Sequence, residues 1–121
     1  MFHHIGIEVS NIENSQHFYN KLLNFQYETT FEFFDEKIVF LTNQQIKLEL
    51  IEKDGDVKSQ GNLHICFSVD NLIKMLKRAK REGIPILEGP YDLHNGWKIV
   101  FMEGPDGEII ELLEDSNKHP G

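Results

Sequence analysis

One cysteine, Cys66, stands among 121 residues, which excludes an intrachain disulfide framework and a zinc site built from thiolates alone. Cations are also in short supply. Twelve Lys and Arg face twenty Asp and Glu, for a formal charge of −8, so the chain lacks the basic footprint that nucleic acid or an anionic membrane requires. No apolar run approaches the ~18 residues of a spanning helix, and the N-terminal Met1-Phe2-His3-His4 has no signal-peptide layout. The expectation is a cytoplasmic protein with no nucleic-acid or membrane partner. Its length supports one domain with one core, not two independent ones.

The chain reads as two copies of one unit. His4-Ile5-Gly6-Ile7-Glu8-Val9 sits opposite His64-Ile65-Cys66-Phe67-Ser68-Val69 at an offset of 60 residues. Lys37-Ile38-Val39-Phe40-Leu41 returns as Lys98-Ile99-Val100-Phe101-Met102 at an offset of 61. Leu48-Glu49-Leu50-Ile51-Glu52 returns as Ile110-Glu111-Leu112-Leu113-Glu114 at an offset of 62. Drift by single residues is what changes in loop length produce. The modules run over about 1–52 and 61–115, joined by the polar segment Lys53–Asn62, with Ser116–Gly121 as a tail.

Each module begins with alternating residues that predict a strand, His4–Val9 and His64–Val69. A helix follows, started by the capping box Ser10-x-x-Glu13 in one copy and by Asp70 in the other, with Gly83 ending the second. Three extended runs come next: Phe25–Phe33, Lys37–Thr42 and Gln45–Glu52, then Pro85–Glu88, Trp97–Glu103 and Glu108–Glu114. Gly104-Pro105-Asp106-Gly107 makes a turn before the last of them. The fold class is α+β, a tandem βαβββ arrangement.

Strand alternation then sorts the polar residues. Ile5, Ile7 and Val9 should carry the helix, leaving His4, Gly6 and Glu8 on the opposite face; Ile65, Phe67 and Val69 leave His64, Cys66 and Ser68. In the last strands, Leu48 and Leu50 separate from Glu49, and Ile110 and Leu112 from Glu111. Each module thus puts one His and one Glu on the face away from its helix. A lone strand His is usually a hydrogen-bonded structural residue and a lone strand Glu usually meets water. Repetition links these four by position. Two imidazoles and two carboxylates suit one divalent ion such as zinc, nickel, cobalt, manganese or iron. On a six-coordinate ion they leave two neighbouring positions for a chelating substrate.

At these residues the sequence resembles the vicinal oxygen chelate superfamily, which includes glyoxalase I. The likeness is carried by His4-Ile5-Gly6-Ile7-x-Val9, His64-Ile65-x-Phe67-x-Val69-Asp70 and Pro105-Asp106-Gly107-x-x-x-Glu111-Leu112, and it spans nearly the whole chain. It implies a single domain over 1–121 whose two modules form an open, U-shaped mixed-sheet barrel, in a homodimer. By position it implies His4, Glu49, His64 and Glu111 as metal ligands. It nominates Glu111 as the catalytic base, with Glu49 as its symmetric counterpart. The implied activity is that of a glyoxalase-like metal-dependent lyase or isomerase, acting on a small α-oxygenated, hemithioacetal-type substrate through a metal-stabilised enediolate.

Departures from the family pattern matter too. Glyoxalase I commonly has an Arg four residues after the first His, where it holds a glutathione carboxylate; this chain has Glu8, which should repel that group. The alternatives are a methylmalonyl-CoA-type epimerase and a metal-free binding protein of the bleomycin-resistance type. Cys66 reads as a small hydrophobe, His3 falls on the wrong face, and Trp97, Val39, Leu41, Val100 and Met102 could line an apolar pocket, although strand aromatics and aliphatics are more often plain core.

Overall fold

The computed structural model describes residues 3–33, 35–44, 46–55 and 64–117. The chain divides into two compact units, Met1–Lys58 and Ser59–Gly121. The first contains β1 (Ile5–Val9), α1 (Ile12–Leu23), β2 (Gln26–Phe33), β3 (Glu36–Thr42) and β4 (Lys47–Glu52). The second repeats the order as β5 (Ile65–Ser68), α2 (Leu72–Arg81), β6 (Ile86–Asp92), β7 (Trp97–Glu103) and β8 (Ile109–Asp115). The fold is the tandem βαβββ of the α+β class. Most of the connecting segment between the units, and the last four residues, lie outside the described residues.

Each unit builds one four-stranded mixed sheet, in the orders β1-β4-β3-β2 and β5-β8-β7-β6. The first strand pairs in parallel with the last, Gly6 opposite Glu49 in one sheet and Cys66 opposite Glu111 in the other. The remaining pairs are antiparallel, with Phe40 opposite Glu49 and Phe101 opposite Glu111. Directly opposed residues share a face. The helix face of the first sheet therefore carries Leu48, Leu50, Val39 and Leu41, all buried, beneath the buried Ile12, Tyr19 and Leu22 of α1. In the second sheet Val100, Met102, Ile110 and Leu112 are fully buried on the corresponding face, with Leu72 and Ala79 of α2. The edge strands β2 and β6 are exposed along their whole length.

The helices start one residue later than the sequence suggested. Asn11, not Ser10, caps α1 by accepting from the Asn14 N–H, and Asn71, not Asp70, caps α2 by accepting from Lys74. The physical reason lies in the sheet. Glu52 and Glu114, at matched positions late in the last strands, accept from the Ile12 N–H (2.9 Å) and the Leu72 N–H (2.8 Å). These carboxylates fix where the first helical turn can begin and complement its positive end. At the other end Asn24 adopts a left-handed conformation, φ 58°, where the second unit uses Gly83, φ 70°. Asn71→Ala should lower stability by about 1 kcal/mol, the usual cost of losing an N-cap. Urea unfolding followed by far-UV circular dichroism measures it, and an unmoved midpoint would mean water replaces the cap.

Candidate functional site

The register decides what stands beside each histidine. His4 immediately precedes β1, and its Nε2 lies 3.4 Å from Oε1 of Glu49 in the neighbouring β4. His64 precedes β5 in the same way, and its Nε2 lies 2.9 Å from Oε1 of Glu111 in β8. The four residues expected at the site are thus gathered as two pairs, one in each unit. As an isolated pair, the imidazole would donate to the carboxylate. Two neighbouring ligands on a six-coordinate ion with bonds of ~2.1 Å also lie ~3 Å apart. Nitrogen and oxygen spaced at 2.9 and 3.4 Å therefore fit ligation as well. Among the described residues no group of three or more His, Cys, Asp or Glu is arranged to hold a metal ion, so each unit offers a half-set of two donors.

An aromatic ring completes each pair. Phe40 meets His4 edge to face with centroids 5.1 Å apart, and Phe101 meets His64 at 6.1 Å. Both rings come from the Lys-Ile-Val-Phe block of the repeat, directly opposite the glutamate. Phe31 of β2 stacks on Phe40 at 6.0 Å and 20°. This separates pocket from core among the strand residues that could have been either. Val39, Leu41, Val100 and Met102 face the helices and are buried in the core, whereas Ile38, Phe40, Ile99 and Phe101 share the face of the His–Glu pairs. Trp97 is on that face as expected, opposite Asp115.

The two pairs differ in their neighbours. Beside Glu49 stands Gly6, where an added Cβ would come within 3.1 Å of Glu49 Oε1 and shift that carboxylate by a few tenths of an ångström. The matched position in the second unit is Cys66, whose thiol hydrogen-bonds to Glu111. Partial desolvation first, and then the Glu111 charge, push the Cys66 thiol up to about 11. It is protonated at neutral pH and donates its S–H rather than acting as a thiolate ligand.

His3 proves closer to the site than alternation suggested. Its Nδ1 lies 2.8 Å from Nδ1 of His4, so one ring donates to the other and holds His4 with Nε2 toward Glu49. The adjacent pair of histidines in the sequence was the available signal. It is missed by counting faces because His3 precedes the strand.

Glu8 shares the face of His4 and Glu49, as alternation indicated, but it is not isolated. Lys53 reaches it at 3.6 Å and also pairs with Glu36. The hydrogen bond to Glu36, reinforced by both carboxylate charges, holds the Lys53 ammonium above its usual pKa. The cation follows β4 rather than occupying β1.

Comparison with known proteins adds the family level. The model of the Glyoxalase/Bleomycin resistance protein/Dioxygenase superfamily matches residues 1–112. An uncharacterised protein, YwbC, of Bacillus subtilis (strain 168) is 25% identical over 119 residues, covering 92% of this chain and 94% of its own. A glyoxalase family protein from Enterococcus faecalis has a similar structure, with a TM-score of 0.80 at 24% identity over 94% of this chain and 97% of that one. A mutant of the fosfomycin resistance protein FosX from Listeria monocytogenes, complexed with Mn(II) and 1S,2S-dihydroxypropylphosphonic acid, gives 0.83 at 16% identity, over 96% and 92% of the two chains.

Proposed function

The chain belongs to the glyoxalase/bleomycin resistance protein/dioxygenase superfamily, which includes many metal-dependent enzymes, and we propose that it is a glyoxalase-type lyase or isomerase. The reaction would move a proton at a carbon beside an oxygenated carbon of a small, hemithioacetal-type substrate. One observation carries this reading: the duplicated His–Glu pair, set in both units at a spacing suited to neighbouring ligands. His4, Glu49, His64 and Glu111 would together hold one divalent ion through nitrogen and oxygen only. When bound, such an ion polarises substrate oxygens and takes up the negative charge that proton removal creates.

The chain's own residues supply the rest. A carboxylate that serves as both ligand and base must swing aside to meet the substrate's C–H, and it then needs another partner. Glu111 has one in the Cys66 thiol, whereas the matched neighbour of Glu49 is Gly6, which has no side chain to offer. This asymmetry favours Glu111 as the group that accepts the proton at a carboxylate oxygen and returns it to the adjacent carbon. His64 keeps Glu111 aimed from the other side at 2.9 Å. Phe40 and Phe101 pack edge to face against His4 and His64 and give each pair an apolar flank.

Metal content tests the reading. Protein purified without added metal and analysed for its elements should carry about one divalent ion per two half-sets, that is, per set of four ligands. Dialysis against a chelator should remove the ion together with the activity. Protein that holds no ion, and takes up none when Mn(II), Ni(II), Zn(II), Co(II) or Fe(II) is offered, would instead be the metal-free binder of the same family.

A further inference from the structure

The cations of this protein are sorted by face, and the sorting bears on what the proposed site accepts. On α2 stand Lys74, Lys77, Arg78, Lys80 and Arg81, and on α1 Lys21. Lys37 lies opposite Glu32 and Lys98 opposite Glu114, both on the helix side of their sheets. Among the described residues only Lys47 and Lys53 stand with the His–Glu faces. Lys47 is held by Glu28 at 3.0 Å, and Lys53 by Glu36 and Glu8.

Carboxylates stand on both faces of the sheets, and several share the face of the His–Glu pairs. Besides the proposed ligands, the first sheet turns Glu8 and Glu36 to the His–Glu face, by their places opposite Ile51 and Phe33. The second turns Glu88, Glu103 and Asp115 to it, opposite Phe101, Ile109 and Trp97, with no Lys or Arg among the described residues of that face. Both described arginines are on α2, so none is available for the bidentate grip that phosphonate and phosphate groups favour. The aromatic groups on the same faces have surfaces to offer: Phe31 is 44%, Tyr91 46% and Trp97 40% exposed. Ring faces beside carboxylates attract cations twice over, through the ring quadrupole and through charge. A divalent ion would offset Glu49 and Glu111 but not the others.

Building on the proposed function, we infer that the site takes a cationic small molecule, an amine or amidine on an apolar body, and turns away phosphonates, phosphates and carboxylates. Its substrate class would then differ from that of the phosphonate-bound relative, although the folds superpose.

A matched series of benzylamine, benzyl alcohol and benzylphosphonate tests this without requiring turnover. Binding is read by calorimetry or through Trp97, the only tryptophan, on protein as purified and after loading with Zn(II). Benzylamine should bind about tenfold more tightly than benzylphosphonate, with benzyl alcohol between them, and the gap should close as salt is raised. The variant Glu88→Gln/Glu103→Gln/Asp115→Asn should narrow the gap several-fold. Glu8→Arg, which sets a second cation beside Lys53, should raise benzylphosphonate affinity about tenfold.

Equal or tighter binding of benzylphosphonate overturns the inference. So does failure of all three compounds to bind at millimolar concentration, or a gap that no charge variant changes. The preference without metal or turnover would uphold the inference while removing the enzyme reading. Hemithioacetals of methylglyoxal give the reverse separation. If the mercaptoacetate adduct is turned over as well as the cysteamine adduct, the enzyme reading stands and the charge inference falls.

Discussion

Glu111→Gln should reduce turnover by about 100-fold or more at saturating metal, the usual scale of general-base catalysis. The amide keeps nearly the shape of the carboxylate and still offers an oxygen to an ion, so metal affinity should fall only moderately. The amide is not basic at neutral pH, so the proton-transfer step is what suffers. Glu49→Gln provides the contrast. Its environment has no thiol to receive a displaced carboxylate, since Gly6 occupies the place of Cys66, and its loss should appear in metal affinity more than in turnover. The measurement is kcat with metal titrated to saturation in each variant, on a substrate the wild type turns over. A Glu111→Gln protein with full activity would move the base elsewhere, and a collapse confined to Glu49→Gln would put it at Glu49.

Removal of either site histidine should cost more than 100-fold in metal affinity. Partners one step behind the ligands are alone worth roughly 10–100-fold, and His4→Ala or His64→Ala deletes a donor itself. His3→Ala provides an internal calibration, because His3 meets His4 at Nδ1, away from the nitrogen that faces Glu49, and should fall in that lower range. Competition with a chelator of known affinity measures all three variants. Circular dichroism is the control for folding, which should be intact because His4 and His64 both precede their strands and contribute no side chain to the core. If affinity is unchanged in both His4→Ala and His64→Ala, the pairs at 3.4 and 2.9 Å are plain hydrogen-bonded contacts and not ligands.

The carboxylates of β4 and β8 illustrate what pattern reading can and cannot separate. Glu49 and Glu52 are the same residue type three positions apart. An odd spacing puts them on opposite faces, so alternation alone assigns Glu49 to the site side. The role of Glu52 is not visible in that pattern, because the N–H it accepts from belongs to Ile12, 40 residues away. The same limit displaces the helix caps by one residue: Ser10 and Asp70 satisfy the local rule, but Glu52 and Glu114 set where the first turn starts. Pocket and core are left unseparated in the pattern for a different reason. Ile38-Val39-Phe40-Leu41 is apolar at every position and all four are buried, so a period of two has nothing to register. Pairing supplies the missing parity by setting Phe40 against Glu49 and Val39 against Leu50.

The duplication, the order of elements in each copy, and the shared face of His4 with Glu49 and of His64 with Glu111 are all legible in the chain alone. They follow from local periodicity and from repetition, both of which are properties of residues taken in order. The flanks of the two pairs are set only by folding in three dimensions: Phe40 and Phe101 against the imidazoles, the Cys66 thiol on Glu111 but Gly6 beside Glu49, His3 on His4, and Lys53 on Glu8. Most of these contacts join strands distant in sequence, and strand register, which is set by the hydrophobic pattern and turns of whole strands together, carries no signature at any single position.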